Sequence, residues 1–244
     1  MKRYKLLIRY DGEKFYGWQI QKDRRTVQGV IENALSQVFK IKSRVIVHGA
    51  GRTDSGVHAY QQVAHFDFLT NLNENDLRNA LNSKLEIDCK ITSIKTVNND
   101  FHARFSALRR QYLYQCYVGD SILYRNQSWI LNKVKLRCLN SLAKEIIGIH
   151  DFLSFSKYNP RINDTKCKIS ESKWILNKDM VTFSIVSNRF LHHMIRYLVG
   201  TMIAVSENRF SKKSFNLLLE NPRKSVRIFK APAQGLILNR IDYV

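Results

Sequence analysis

A single acidic residue stands at the centre of the most glycine-rich stretch of the chain. Residues 49–56 read GAGRTDSG, so Gly49, Gly51 and Gly56 surround Asp54, and Arg52 precedes it by two positions. Glycine permits unusual backbone angles and the close approach of a ligand. A nearby guanidinium would hold the acid ionised and could bind a phosphate, and an ionised acid on a tight loop is a candidate nucleophile. A bare Asp-Ser-Gly triplet is more typical of an aspartate that stabilises its own turn, and this alternative stays open.

An aromatic residue and a buried-type arginine lie further along the chain. Tyr112 belongs to an alternating strand with Tyr114, where core packing is one interpretation and contact with a ligand is the other. Arg196 lies in an apolar helix at helical spacing from His192 and Gly200. A buried arginine there must meet a carboxylate or a phosphate, and an ordinary structural ion pair serves as well as a site. The adjacent histidines at 192 and 193 would point about 100° apart on a helix, and no third ligand follows, so we predict no metal.

The elements that must position these residues have a recurring order. Over the first hundred residues we predict strands at 2–10, 43–48, 60–68 (with one buried face) and 90–97, and helices at 26–39, capped by Thr26, and 73–85. The second half repeats this β-α-β-β-α-β order with insertions, through strands at 111–118, 167–176, 180–187 and 236–242 and helices at 139–147, 190–205 and 211–219. The predicted fold class is α+β: two ferredoxin-like domains, 1–100 and 101–244, forming an extended, mostly antiparallel sheet with helices on one face and a basic cleft on the other. Residues 98–110 would link the domains.

Charge and composition restrict the class of protein. The 244 residues include 40 Lys and Arg against 20 Asp and Glu, a net charge of +20, which favours a polyanionic partner such as nucleic acid. No apolar run approaches the roughly 18–20 residues of a membrane span, and the N-terminus has no signal-peptide core. The four cysteines form no CxxC pair and are expected to be reduced thiols. We therefore expect a cytoplasmic protein that acts on nucleic acid.

The motifs read together resemble one family, tRNA pseudouridine synthase A. The loop from Gly49 to Ala59 carries the similarity most clearly. The other matching stretches, in chain order, are YDG at 10–12 with Phe15 and GWQ at 17–19, TVQG at 26–29, FHARFSA at 101–107 with Arg110 and Tyr112, FLHHMIR at 190–196 with Val199 and Gly200, and APAQGL at 231–236. The resemblance extends over residues 4–243 and thus over essentially the whole chain.

The resemblance implies an isomerase that converts uridine to pseudouridine at positions 38–40 of the tRNA anticodon stem-loop. It implies a homodimer, with no metal and no nucleotide cofactor. The family roles that it implies are Asp54 as nucleophile, Tyr112 stacking on the target base and assisting removal of its C5 proton, and Arg52 and Arg196 as positioning groups. The residues expected to bind substrate are Arg52, Tyr112, Leu236, Phe101, His102, Ala103, Arg104, Phe105, Pro160 and Arg161. The stretch 158–163 reads YNPRIN and departs from the family's arginine-threonine-proline pattern.

Two other functions fit the same residues. A catalytically silent RNA-binding protein would need the basic and aromatic residues, although an acid beside phosphates would repel them. A glycosidase that hydrolyses an RNA base usually needs two carboxylates roughly 5–10 Å apart, and the nearest acid after Asp54 in sequence is Asp67. An isomerase instead needs one carboxylate and a pocket that excludes water, for which Tyr112 and Leu236 are the candidate apolar walls.

Overall fold

The structure, a computed structural model, describes all 244 residues. Its α-helices are α1 (Val27–Val38), α2 (Glu74–Asn82), α3 (Leu136–Glu145), α4 (Met194–Ser206) and α5 (Lys212–Glu220). Its strands are β1 (Lys2–Tyr10), β2 (His48–Gly49), β3 (His58–Phe68), β4 (Cys89–Val97), β5 (Arg109–Val118), β6 (Trp129–Leu131), β7 (Gly148–Asp151), β8 (Lys166–Asn177), β9 (Met180–Ser187) and β10 (Leu236–Asp242). Strand pairing is mostly antiparallel, so the predicted α+β fold class is confirmed.

The chain divides into two compact units. The first comprises Met1–Leu108 with Leu238–Val244, and the second comprises Arg109–Ile237. The C-terminal residues belong to the first unit because Leu108 N–H donates to Asp242 O at 2.8 Å and the Tyr243 hydroxyl donates to Ala103 O at 2.7 Å. Residues 98–108 of the predicted linker at 98–110 are therefore part of this unit. The division into domains at 1–100 and 101–244 stays a prediction.

In the first unit the strand order is β4-β1-β3-β10. Phe39, at the end of α1, packs against Phe66 and Phe68, so this side of β3 faces the helix. Strand alternation turns His65 and Asp67 to the opposite side. The prediction that β3 buries only one face is wrong, because His65 is as buried as Phe66. The rings of Phe101 and His102 pack against His65 on this second face.

The predicted strand at 43–48 is also wrong. Only His48 and Gly49 pair there, opposite His65 and Ala64 of β3. The main chain of Val47 instead donates to the buried carboxylate of Glu32 on α1 at 2.9 Å. The segment is therefore joined to α1 by this polar contact, and residues 43–47 do not form a strand ladder.

In the second unit the strand order is β5-β9-β8-β7, and β6 lies parallel to β5. The predicted hairpin at 177–179 is present between β8 and β9. The predicted helix at 190–205 begins four residues late, at Met194, because His193 adopts a left-handed conformation with φ of 63°. His192 therefore precedes α4 and does not share a helix face with Arg196 and Gly200, as the spacing had predicted.

Candidate active site

The glycine-rich loop, which we define as residues 49–57, is built against the segment 10–19. A Cβ atom on Gly12 would lie 2.2 Å from Val57 O, and one on Gly17 would lie 2.6 Å from Thr53 O. Gly17 also has a φ of +83°, a conformation that other residues rarely adopt. Both glycines are thus required by the close approach of the two backbones. The glycine-rich loop and the segment 10–19 therefore form one packed substructure.

Main-chain hydrogen bonds connect the start of α1 to this loop. The first N–H groups of a helix have no partner within it. In α1, Val27 N–H donates to Gly17 O at 3.1 Å and Gln28 N–H donates to Trp18 O at 3.0 Å. Trp18 N–H in turn donates to Thr53 O at 3.1 Å. The start of α1 therefore positions Thr53, the residue before Asp54, through Trp18.

Asp54 lies half-buried in this loop, between buried and exposed neighbours. Thr53 is buried, and its hydroxyl is 2.8 Å from the Tyr10 hydroxyl, whereas Arg52 is exposed. The Asp54 carbonyl accepts Val57 N–H at 3.2 Å, which closes a turn through Gly56 with a φ of +78°. The turn is therefore held by its main chain. The nucleophilic role of Asp54 stays a prediction.

Gly51 marks an open side of the loop. A Cβ atom built on it would have no heavy atom within 4 Å. Its carbonyl accepts the Gln62 side chain at 2.9 Å, and the Ala50 N–H donates to Val63 O at 2.8 Å. The loop is thus fixed on β3 while space remains beside Gly51, which suits the approach of a ligand.

In the second unit, Tyr112 and Tyr114 share one face of β5 but differ in burial. Tyr114 is fully buried, its hydroxyl donates to Pro232 O at 2.8 Å, and burial raises its pKa well above the usual value. Tyr112 is half-buried and meets the Phe190 ring edge-on, with centroids 5.2 Å apart. Tyr114 is therefore the core tyrosine, and Tyr112 is the one with an accessible ring.

Arg196 contacts the segment 231–235 of the same unit. Its Nε donates to Ala231 O at 2.9 Å, and Ala231 N–H donates to the main-chain carbonyl of Arg196, also at 2.9 Å. One turn later, a Cβ atom on Gly200 would lie 2.3 Å from Phe229 O. Leu236, a predicted pocket wall, is buried, and its N–H donates to Ala233 O at 2.9 Å. The motif around Arg196 and the C-terminal motif therefore form one packed substructure.

The predicted substrate-binding residues 101–105 form a turn in the first unit. Ala103 is fully buried, Phe101 and His102 are partly buried, and Arg104 and Phe105 are exposed. Sequence reasoning missed the residue that supports this turn, His65, because an alternating strand pattern does not reveal which segment packs on its second face. Burial lowers the pKa of His65 to about 4, and the electrostatic effects of His102, Arg3 and His48 act in the same direction.

The stretch 158–163 is largely exposed. The Lys224 ammonium lies 3.9 Å from the centroid of the Tyr158 ring. The Asn159 side chain accepts Arg161 N–H at 3.0 Å, which forms a tight turn next to Pro160. Arg161 and Pro160 are thus presented at the surface, as substrate-binding residues would be, and their role stays a prediction.

Adjacent arginines in a basic protein are candidate phosphate contacts, and of Arg24 and Arg25 only the first is placed for that role. The Arg25 guanidinium makes two hydrogen bonds of 2.8 Å to the Asp88 carboxylate and also meets Glu86 at 3.2 Å. Arg24 is exposed and lies over the Tyr16 ring, 4.5 Å from its centroid. Arg25 is therefore part of a structural ion pair.

Other features of the structure bear on the predicted class of protein. All four cysteines are free thiols, as expected. No helix has the length and apolarity needed to cross a bilayer. A groove of about 690 Å³ runs along α1 beside Glu32, Gln37 and Arg44, and none of the predicted site residues lines it.

Comparison with known proteins identifies the family. A family model described as tRNA pseudouridine synthase matches residues 6–106 and 142–244. Proteins named tRNA pseudouridine synthase A from Chlorobium chlorochromatii and Borrelia duttonii are 38% and 35% identical, each over 100% of both chains. The one from Anoxybacillus flavithermus is 35% identical over 100% of this chain and 99% of its own. A solved structure, a chain of a Cbf5-Nop10-Gar1 complex, is 12% identical over 96% of this chain and 57% of its own, with a TM-score of 0.37. The resemblance found in the sequence is thus confirmed, and the chain belongs to the tRNA pseudouridine synthase family, whose members are isomerases.

Proposed function

We propose that this protein converts uridine to pseudouridine in tRNA, at positions 38–40 of the anticodon stem-loop, with Asp54 as the nucleophile. The observation that carries the proposal is the full-length similarity to tRNA pseudouridine synthase A proteins. The location of Asp54 supports it, because the carboxylate belongs to a loop whose backbone is fixed from α1 and β3. A fixed carboxylate costs little reorganisation when charge develops at the reacting uridine.

The reaction rearranges bonds without a net change in composition. The bond between C1′ and N1 breaks, the base turns, and a bond forms between C1′ and C5. The C5 proton leaves, and N1 gains one. Asp54 would hold the intermediate by attacking the sugar or the base, and Tyr112 would stack on the lifted base and assist removal of the C5 proton. Arg52 and Arg196 would position the carboxylate and the substrate.

The substitution Asp54→Asn tests this assignment. It removes the charge and the nucleophile while keeping the side-chain size, so we expect tRNA binding to stay within about threefold while isomerisation falls by about 10³-fold or more. Release of tritium from tRNA labelled at uridine C5 measures the reaction. Asp120→Asn, which changes an exposed acid of the second unit, is the matched control and should leave both quantities unchanged. Turnover by Asp54→Asn at the wild-type rate would remove Asp54 from its role.

The same assay separates the two other functions. A silent RNA-binding protein would bind tRNA and release no tritium. A glycosidase would release free uracil and leave abasic tRNA without pseudouridine. Either result with the wild-type chain would overturn the proposal.

We propose further that the active form is a cytoplasmic homodimer, as the family resemblance implies. A net charge of +20 suits two copies that share one polyanionic tRNA. Sedimentation should give the mass of two chains, both alone and with tRNA. A fully active species with the mass of one chain would contradict this expectation.

A further inference from the structure

The turn at residues 101–106 presents an aromatic ring that is largely exposed to solvent. The Phe105 side chain is 76% exposed. One face of the ring contacts His102, with centroids 4.4 Å apart, and the Arg104 guanidinium lies 5.6 Å from the ring centroid. An aromatic ring beside an arginine is the combination on which unpaired bases stack in proteins that bind single-stranded nucleic acid.

Two side chains outside the turn hold its central peptide. Ala103 N–H donates to His65 Nδ1 at 3.2 Å, and Ala103 O accepts the Tyr243 hydroxyl at 2.7 Å. His65 lies on β3, and Tyr243 directly follows β10 in the first unit. Ala103 is fully buried. Removing the His65 imidazole would leave its N–H without this acceptor, and removing the Tyr243 hydroxyl would leave its carbonyl without this donor.

Within the turn, the His102 side chain binds the backbone of the two residues that follow Ala103. Its Nδ1 accepts the N–H groups of Arg104 at 3.1 Å and Phe105 at 3.3 Å. His102 N–H donates to the Ser106 hydroxyl at 2.9 Å. The backbone of the two exposed residues is therefore ordered before any ligand arrives, which reduces the entropy lost on binding.

The contact from His65 requires an imidazole that lacks a proton on Nδ1. The groups that face it include Arg3, His48 and His102, which oppose a positive charge, and Asp67, which favours one. Arg3 is itself occupied by the Asp67 carboxylate at 2.7 and 2.8 Å, and it donates to Phe101 O at 2.8 Å. With a pKa of about 4, His65 accepts the Ala103 N–H throughout the neutral range.

We propose that His65 and Tyr243 are positioning residues for RNA binding, which hold the Ala103 peptide so that Arg104 and Phe105 together meet a nucleobase. The proposal rests on the proposed function in one respect, that RNA is the ligand. The resemblance already implies substrate binding by Arg104 and Phe105, and the new element is the supporting role of two residues outside the motifs quoted above.

The experiment measures the affinity of the full-length protein for an unmodified tRNA transcript. We expect Phe105→Ala to raise Kd about tenfold, as the loss of one stacked base would. His65→Leu removes the acceptor and should raise Kd about fivefold, with kcat at saturating tRNA within twofold of the wild type. His65→Asn places an amide oxygen near the position of Nδ1 and should restore Kd to within twofold. Tyr243→Phe, which removes only the hydroxyl, should act like His65→Leu.

A double variant distinguishes positioning from a general loss of stability. If His65 acts through Phe105, adding His65→Leu to Phe105→Ala raises Kd no further, because the ring to be positioned is already absent. Thermal unfolding of each variant sets a temperature at which all are folded. Multiplied effects in the double variant, equal Kd values for His65→Leu and His65→Asn, or an unchanged Kd for Phe105→Ala would each overturn the proposal. If the wild type binds tRNA but makes no pseudouridine, the proposed function fails, and the Kd series still decides this inference.

Discussion

At the scale of single residues, the glycine-rich loop depends on glycines that differ in what surrounds them. Gly17 has a positive φ, and a Cβ atom there would press on Thr53 O. Gly51 belongs to the loop itself and has open space around it. Glycine content alone therefore does not show which positions are structurally required.

This difference gives a paired prediction. Gly17→Ala should lower the free energy of unfolding by about 1–3 kcal/mol and reduce isomerisation, because the strain moves the backbone next to Asp54. Gly51→Ala should change the free energy of unfolding by less than about 0.5 kcal/mol. Urea unfolding of the two variants measures the difference. Equal losses of stability would show that the close approach of the two backbones does not constrain this loop.

At the scale of elements, α1 both covers the sheet of the first unit and anchors the glycine-rich loop. Thr26 caps the helix by accepting Gly29 N–H, and the next two N–H groups bind the carbonyls of Gly17 and Trp18. Ser211 caps α5 in the second unit in the same way, by accepting Ser214 N–H. The two caps are chemically similar, but only the first is connected to the candidate site.

We therefore expect the two caps to differ in their effect on activity. Thr26→Ala and Ser211→Ala should each lower the free energy of unfolding by about 1 kcal/mol. Thr26→Ala should in addition lower kcat/KM for tRNA severalfold, and Thr26→Ser, which keeps the hydroxyl, should restore it. Equal kcat/KM values for the two alanine variants, measured where both are folded, would contradict a connection from α1 to the loop.

Elements with strong local signals were predictable from the sequence. The N-cap Thr26 and the turn at 177–179 depend on nearby residues and lie where the pattern indicated. The segment 43–48 and the start of α4 were predicted wrongly because tertiary contacts decide them. Val47 binds Glu32 of α1, and His193 takes a left-handed conformation that its apolar neighbours do not reveal.

At the candidate site, too, tertiary contacts could not be predicted from the sequence. Motif similarity located Asp54, Tyr112 and Arg196, although their roles stay predictions. It did not reveal His65, since a histidine in a strand of alternating residues gives no sign that it accepts an N–H 38 positions further on. Nor could the adjacent arginines 24 and 25 be told apart, because the ion pair that occupies one of them is made by residues from around position 88.

At the scale of the whole molecule, the net charge of +20 predicts how RNA binding responds to salt. Each phosphate that a Lys or Arg neutralises releases counterions, so affinity falls steeply as salt rises. With about six such contacts, Kd for a tRNA transcript should rise roughly 10³-fold between 50 and 200 mM salt.

Two variants divide this salt dependence between basic residues. Arg104→Gln should lower the slope of log Kd against log salt by about one, because the exposed Arg104 guanidinium brings one positive charge to the turn that we propose to contact RNA. Arg25→Gln should leave the slope unchanged, since Asp88 already neutralises that guanidinium. Titrations at four or more salt concentrations measure both slopes. A slope near zero for the wild type would mean that the positive charge of this chain serves a purpose other than binding a polyanion. Equal slopes for the two variants would mean that internal ion pairing does not decide which arginines meet RNA.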